Sequence, residues 1–134
     1  MKVHTASHGF ETRNQFEAHD LTGWIREEVK RSGVMDGVAV VSTGHTSGAL
    51  VMNELDPGLR RDIGALLERL VPPGDDYGHQ ANAPSHLSAL LLGGSQTIPV
   101  RGGEAHLGTW QSVYWVEAEA RPRSRRVDLT VIGV

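Results

Sequence analysis

The stretch that most constrains the fold is Val38-Ala39-Val40-Val41, a continuous apolar run of strand length preceded by Gly37. It predicts a strand covered on both faces. The polar segment Gly44-His45-Thr46-Ser47-Gly48 follows, with a glycine at each end, and Ala49 to Met52 reads as a second strand. The two strands are therefore expected to form a hairpin with His45 at or just inside its tip. Asn53-Glu54 closes the second strand.

The other segments fall into place around this pair. Lys2 to His19 reads as two short strands, in which Val3 and Thr5 alternate with polar neighbours and Gly9 permits a bend. Leu21, Trp24, Ile25 and Val29 have helical spacing, with Asp20 or Thr22 as cap and Gly33 just past the end. Glu27, Glu28, Lys30 and Arg31 are expected to face water. Asp56-Pro57 is a helix start, Leu59, Ile63, Leu66, Leu67 and Leu70 form one apolar stripe, and Pro72-Pro73-Gly74 is a stop. His86 to Leu92 reads either as a short helix capped by Ser85 or as a strand, since Leu90-Leu91-Leu92 fits both. Thr97 to Val100, Gln111 to Ala118 and Arg126 to Val134 read as strands. Alternation puts Val113, Trp115 and Glu117 on one face, and it turns Leu129 and Val131 inward. The sum is an α+β domain over residues 1–134. About seven strands are expected in a two-sheet β-sandwich, with two main helices flanking it.

Composition narrows the function classes. A chain of 134 residues is long enough for one real core. Its net charge of −3 argues against nucleic-acid binding through a broad basic surface. No cysteine is present, which excludes disulfides and thiolate chemistry. No apolar run approaches bilayer-spanning length, and the first residues do not form a signal peptide. A soluble, cytoplasmic protein without membrane contact is expected.

The chemistry-bearing residues concentrate in Tyr77 to His86, a polar stretch broken by Gly78 and Pro84 that suits the wall of a site. It holds His79, Asn82, Ser85 and His86, and His45 joins them from the glycine-bounded segment. Three neutral imidazoles suit zinc and leave a coordination position open for water or substrate, although the spacing matches no closed metal motif. His4, His8 and His19 sit in the N-terminal strands with no polar company and read as ordinary residues. His106 can go either way. Glu54 is the carboxylate chosen as acid/base or as partner of a ligating histidine, against the reading of an ordinary strand end. Asn82 and Ser85 either hold a ligand or stitch their own loop. Arg60 and Arg61 lie in a helix's first turn, where cations oppose the dipole and an anion or ion pair would compensate. Arg121, Arg123, Arg125 and Arg126 read as a solvated hairpin loop, with phosphate binding or a subunit contact as the alternative. Trp110 fills the core or an interface, and Gln111 can point into the site.

Taken together, these residues resemble one family. Gly44-His45-Thr46-Ser47-Gly48-Ala49, Asn53-Glu54, Asp56-Pro57 with Arg60-Arg61-Asp62, His79, Asn82 with Ser85-His86, Leu91-Leu92-Gly93, Thr97-Ile98-Pro99-Val100, Gly108-Thr109-Trp110-Gln111 and Pro122-Arg123-Ser124-Arg125 occur in the order seen in the YjbQ family. That family is also called the secondary thiamine-phosphate synthase family. The resemblance spans nearly the whole chain. It implies a small β-sandwich flanked by helices, assembled as a homotrimer with sites near the subunit contacts. It implies His45, His79 and His86 as ligands of a divalent metal, zinc by preference, with magnesium as the alternative for pyrophosphate. Glu54, Asn82 and Gln111 are implied nearby, with Arg60 or Arg125 meeting phosphate. The implied reaction joins a hydroxymethylpyrimidine pyrophosphate to a thiazole phosphate and releases pyrophosphate. Two departures stand out: Thr43 occupies a position that is often cysteine, and Gln80-Ala81 lacks an acidic residue usual before Asn82. The alternatives are a non-catalytic trimeric module binding a metal or a small phosphorylated ligand, and a metal-assisted hydrolase.

Overall fold

Strand alternation sets the architecture, because it gives most strands one apolar face to bury. The computed structural model describes residues 1–134. In chain order the elements are β1 (Lys2–Thr12), β2 (Ala18–Asp20), α1 (Thr22–Ser32), β3 (Asp36–Ser42), β4 (Gly48–Asn53), α2 (Pro57–Leu70), α3 (Ala83–Leu92), β5 (Ser95–Arg101), β6 (Glu104–Ala105), β7 (Ser112–Glu117) and β8 (Arg123–Gly133). The strands form two antiparallel sheets, ordered β1-β8-β3-β5-β6 and β2-β7-β4. With three helices beside them, this is an α+β fold.

The core lies between the sheets. Ala39, Val41, Ile98, Val100, Val127, Leu129 and Val131 come from the larger sheet and Leu50, Val113 and Trp115 from the smaller, with Leu21, Ile25 and Val29 from α1. Burying such a set is the main favourable term in folding. Tyr114 and Val116 point to the opposite face of β7 and are buried as well, as is Ala118 just past its end. α3 packs against β4.

Two helix signals act as the sequence predicts. Asp56 accepts hydrogen bonds from the Gly58 and Leu59 amides at the start of α2, and Gly33 ends α1 at φ 70°. The ambiguous segment before Gly93 is helical. In place of Ser85, Asn82 takes the N-cap position, and Pro84 fits the first turn, where no intrahelical N–H bond is lost.

The expected hairpin does not form. β3 pairs with β5 and β8, whereas β4 pairs with β7 in the other sheet. The segment from Thr43 to Ser47 is a corner that carries the chain between sheets. Val38 is exposed and Val40 only half-buried, so this strand is covered on one face. Strand β8 begins at Arg123, so three of the four arginines expected in a loop belong to the sheet. Glu28 is not on the wet side of α1: it is buried and meets the His4 imidazole at 2.7 Å. No helix is long and apolar enough to cross a membrane.

Candidate functional site

The corner between the sheets and the first turn of α3 meet at the end of β7. Asn82 precedes the helix with a side chain that makes no capping bond, so its amide is available to neighbours. Its Oδ1 lies 3.0 Å from Nε2 of His79 and 3.0 Å from Nε2 of His86. The two rings stand edge to face with centroids 5.0 Å apart. On the other side, Asn82 Nδ2 donates to Oε1 of Glu119. His86 Nδ1 lies 2.9 Å from the Thr46 carbonyl, which ties α3 to the corner.

The proton count here is informative. A backbone carbonyl only accepts, so Nδ1 of His86 carries the hydrogen that bonds Thr46. In a neutral ring Nε2 then presents a lone pair, and it faces another acceptor, Asn82 Oδ1. Two lone pairs at 3.0 Å repel unless a proton or a metal cation lies between them. His79 aims a second ring nitrogen at the same oxygen. The set fits a divalent cation through two imidazoles and an amide oxygen, with other positions open.

The third expected imidazole is elsewhere. Nε2 of His45 accepts from the Arg126 amide at 3.0 Å, and the ring meets Trp115 edge-on. Burial lowers its pKa, and the charges of Arg125 and Arg123 lower it further. No three His, Asp or Glu side chains converge as a metal-binding group. The expectation of three imidazoles around one ion is thus corrected within a single protomer: two converge, and the corner backbone holds the third apart. Thr43, at the often-cysteine position, locks that corner. Its hydroxyl accepts from the His45 amide at 3.1 Å and donates to the Arg126 carbonyl at 3.2 Å.

Glu119 and the pair Glu117–Arg125 hold the site from beneath. Glu119 is only 5% exposed and accepts from both Asn82 and Ser85. Burial alone would raise its pKa. The bonds from Asn82 and Ser85 and the charges of Arg121 and Arg123 outweigh burial and hold it below the ordinary value. Arg125 is wholly buried. Its Nη2 donates to the Ser47 carbonyl and hydroxyl in the corner and to Glu117, whose other oxygen accepts from Arg125 Nε at 2.7 Å. Arg125 is therefore a structural cation, which corrects for this residue both the solvated-loop reading and the implied contact with phosphate. An open cleft of about 300 Å³ beside Asn82 is lined by Ala81, Glu119, Ala120 and Arg121.

Glu54 and Gln111 lie at the other end of the smaller sheet. Gly48 pairs with Glu117 at the site end, whereas Asn53 pairs with Ser112 at the far end. Six strand residues separate Ser47 from Glu54, which is ~20 Å at the usual rise. Gln111 Oε1 accepts from the Gly108 amide, closing its own turn. Trp110 is 74% exposed and does not fill the core. Arg60 lines a separate cleft with Phe16 and Gly64.

The family model for UPF0047 protein YjbQ-like matches residues 6–134. The chain belongs to the YjbQ (UPF0047) family. A UPF0047 protein of Methanothermobacter thermautotrophicus is 40% identical over 99% of this chain and 94% of its own length. The UPF0047 protein YugU of Bacillus subtilis is 26% identical over 91% of this chain and 94% of its own. Among solved structures, a YjbQ/UPF0047-family protein of Clostridium acetobutylicum superposes with a TM-score of 0.88 at 36% identity, covering 95% of this chain and 99% of that one. A protein of unknown function from Sulfolobus solfataricus also gives a TM-score of 0.88, at 27% identity, covering 98% of this chain and 99% of that one.

Sequence reasoning about this YjbQ-family chain passed over Glu117 and Glu119. One signal was present: alternation turns Glu117 to the same face as Val113 and Trp115, and an inward carboxylate requires a buried cation. Glu119 has no comparable signal, because its contacts with Asn82 and Ser85 span 37 and 34 positions of chain. His4, His8 and His19 do have partners: Glu28 for the first, and for the other two each other, Nε2 to Nε2 at 3.3 Å, stacked against Phe10 and Trp24.

Proposed function

We propose that this protein is a metal-dependent enzyme acting on small phosphorylated substrates, with thiamine-phosphate synthase activity as its specific reaction. The observation that carries the reading is the meeting of His79, His86 and Asn82 Oδ1, where a proton or a metal cation must lie between His86 Nε2 and the amide oxygen. A divalent ion bound there, zinc by the character of its imidazole donors or magnesium by that of pyrophosphate, would supply Lewis-acid charge to a departing pyrophosphate.

The chain's own groups divide the remaining work. His79, His86 and Asn82 hold the cation, and the Thr46 carbonyl orients His86 through Nδ1. Arg121 lines the cleft and Arg123 stands 4.0 Å from Glu119, and the arginine charge that Glu119 leaves unneutralised can meet phosphate oxygens. In the reaction the thiazole nitrogen bonds to the pyrimidine methylene carbon as the carbon–oxygen bond to pyrophosphate breaks. The electron pair leaves with pyrophosphate and no proton moves, so Glu54 is not required as a base within the protomer.

Assembly as a homotrimer belongs to this reading. α3 carries Ser85 and His86, and it also exposes Leu87, Leu90 and Leu91, so an apolar contact there would lie beside the site. Glu54 and Gln111 would join a site only across such a contact. A cytoplasmic setting, with neither nucleic acid nor membrane as partner, accords with the absence of cysteine and the net charge of −3.

The test pairs metal analysis with turnover. The purified protein should carry or take up one divalent ion per chain and form thiamine phosphate from the two precursors, and His86→Ala should lose both. A protein that takes up zinc but forms no thiamine phosphate sinks the synthase reading and leaves the binding module or the hydrolase. A protein that takes up no divalent ion sinks the metal reading.

A further inference from the structure

We propose that Glu119 is a positioning residue of the site: its carboxylate decides that Asn82 turns an oxygen, and not an NH2 group, toward His79 and His86. This rests on the cation-site reading above and adds the device that makes the site select a cation.

The two ends of an asparagine amide have nearly the same shape, so hydrogen-bond partners decide which way it faces. Asn82 lies between two such partners. One is the pair of imidazole Nε2 atoms, each 3.0 Å from the amide, and the other is Glu119 Oε1. The bond that His86 Nδ1 donates to the Thr46 carbonyl leaves a lone pair on Nε2 of the neutral ring, and that lone pair would draw the NH2 end of the amide. An ionised carboxylate is a pure acceptor and draws the same end more strongly, because its bond is charge-assisted. Glu119 wins while it is present, and Oδ1 is left facing the rings.

Glu119 is itself held in place. Its amide donates to Glu117 Oε2 at 2.9 Å, Ser85 Oγ donates to its Oε1 at 3.0 Å, and Arg121 Nε stands 3.5 Å from its Oε2. Its carboxylate reaches Asn82 from the end of β7. The segment before Asn82, Gln80-Ala81, carries no acidic residue of its own. Without Glu119 the amide would rotate, the NH2 group would bond the imidazole lone pairs, and the position for a cation would close.

The test measures zinc affinity by calorimetry on the full chain and reads the Asn82 side-chain amide by NMR, assigned with Asn82→Asp. Glu119→Ala should weaken zinc about 10- to 100-fold, the usual range for losing a group that orients a ligand. Glu119→Gln keeps an acceptor oxygen but loses the charge-assisted bond, so its loss should be smaller than that of Glu119→Ala. Adding Asn82→Asp to Glu119→Ala should recover most of the affinity, because a carboxylate offers oxygen in either orientation. The gain should exceed that of Asn82→Asp in the wild-type background, which a merely structural role for Glu119 would not give. Wild-type affinity in Glu119→Ala, an equal loss in Glu119→Gln, or no recovery in the double variant each overturns the proposal.

Should wild type bind no zinc, the metal reading falls and the amide resonances still decide the orientation. They should be slowly exchanging in wild type and Glu119→Gln with no cross-relaxation to the His79 and His86 ring protons, and in Glu119→Ala they should cross-relax with those rings. Unchanged resonances in Glu119→Ala overturn the proposal. If Glu119→Ala does not fold, loss of the slow resonances in Glu119→Gln overturns it.

Discussion

The guanidinium of Arg125 bonds the carboxylate of Glu117 through both Nε and Nη2, and neither side chain reaches solvent. This pair joins the two walls of the site. Through Ser47, Arg125 fixes the corner whose Thr46 carbonyl meets His86. Through the Glu119 amide, Glu117 fixes the carboxylate that meets Asn82. Thr12 Oγ1, at the end of β1, and the Trp115 indole also donate to Glu117. Both sheets and the site thus share one buried charge pair.

Breaking that pair from one side should cost more than removing it whole. Arg125→Met leaves Glu117 buried without its cation, and such a loss costs about 3–5 kcal/mol. The double variant Glu117→Leu with Arg125→Met should be more stable than Arg125→Met alone. Urea unfolding of the three proteins checks this. A double variant no more stable than Arg125→Met would show that the pair does not hold the sheets as described.

Acid should destabilise the protein in two stages. His19 is lowered from 6.5 by burial and by His8, against Asp20 and Glu17, and His45 is lowered from 6.5 by burial and by Arg125 and Arg123. Groups lowered on folding stabilise above the unfolded value, and that stability is lost as pH falls through the folded value. The first loss therefore starts below pH 6.5. Glu117 and Glu119 are lowered from 4.5 despite burial, chiefly by bonds from Arg125 and Thr12 in one case and Asn82 and Ser85 in the other. Their contribution is complete above pH 4.5 and is lost below it. Urea midpoints from pH 7.5 to 3.5 should show both limbs, and His19→Asn should flatten the upper one. An unchanged upper limb in that variant would assign it to His45 or elsewhere.

Gly48→Ala should disrupt the start of β4. A methyl group there would lie 1.9 Å from the indole of Trp115, which is fully buried and has no room to move. Overpacking of this kind costs about 1–3 kcal/mol and more where nothing can yield. Thermal unfolding followed by tryptophan fluorescence reads the change. Wild-type stability would mean that the indole is not fixed against β4.

Local chemistry determined much of this protein before any coordinate. Asp56 and Pro57 start α2, Gly33 stops α1, and alternation turns Leu129 and Val131 inward, because capping, φ preference and period-two exposure act over a few residues. His79, Asn82 and His86 were legible as a group for the same reason, since one loop and one helical turn bring them together. Tertiary structure alone decided what depends on distant partners. The link from Thr43 to Ser47 suits a hairpin tip and a corner equally, and sheet packing chose the corner. Glu54 and Gln111 read as site residues until strand pairing placed them a sheet length from His86 within the protomer. Glu119 reads as an ordinary charge until folding buries it against Asn82. Burial and pairing across tens of residues are properties of the whole packed chain, so no short window of sequence contains them.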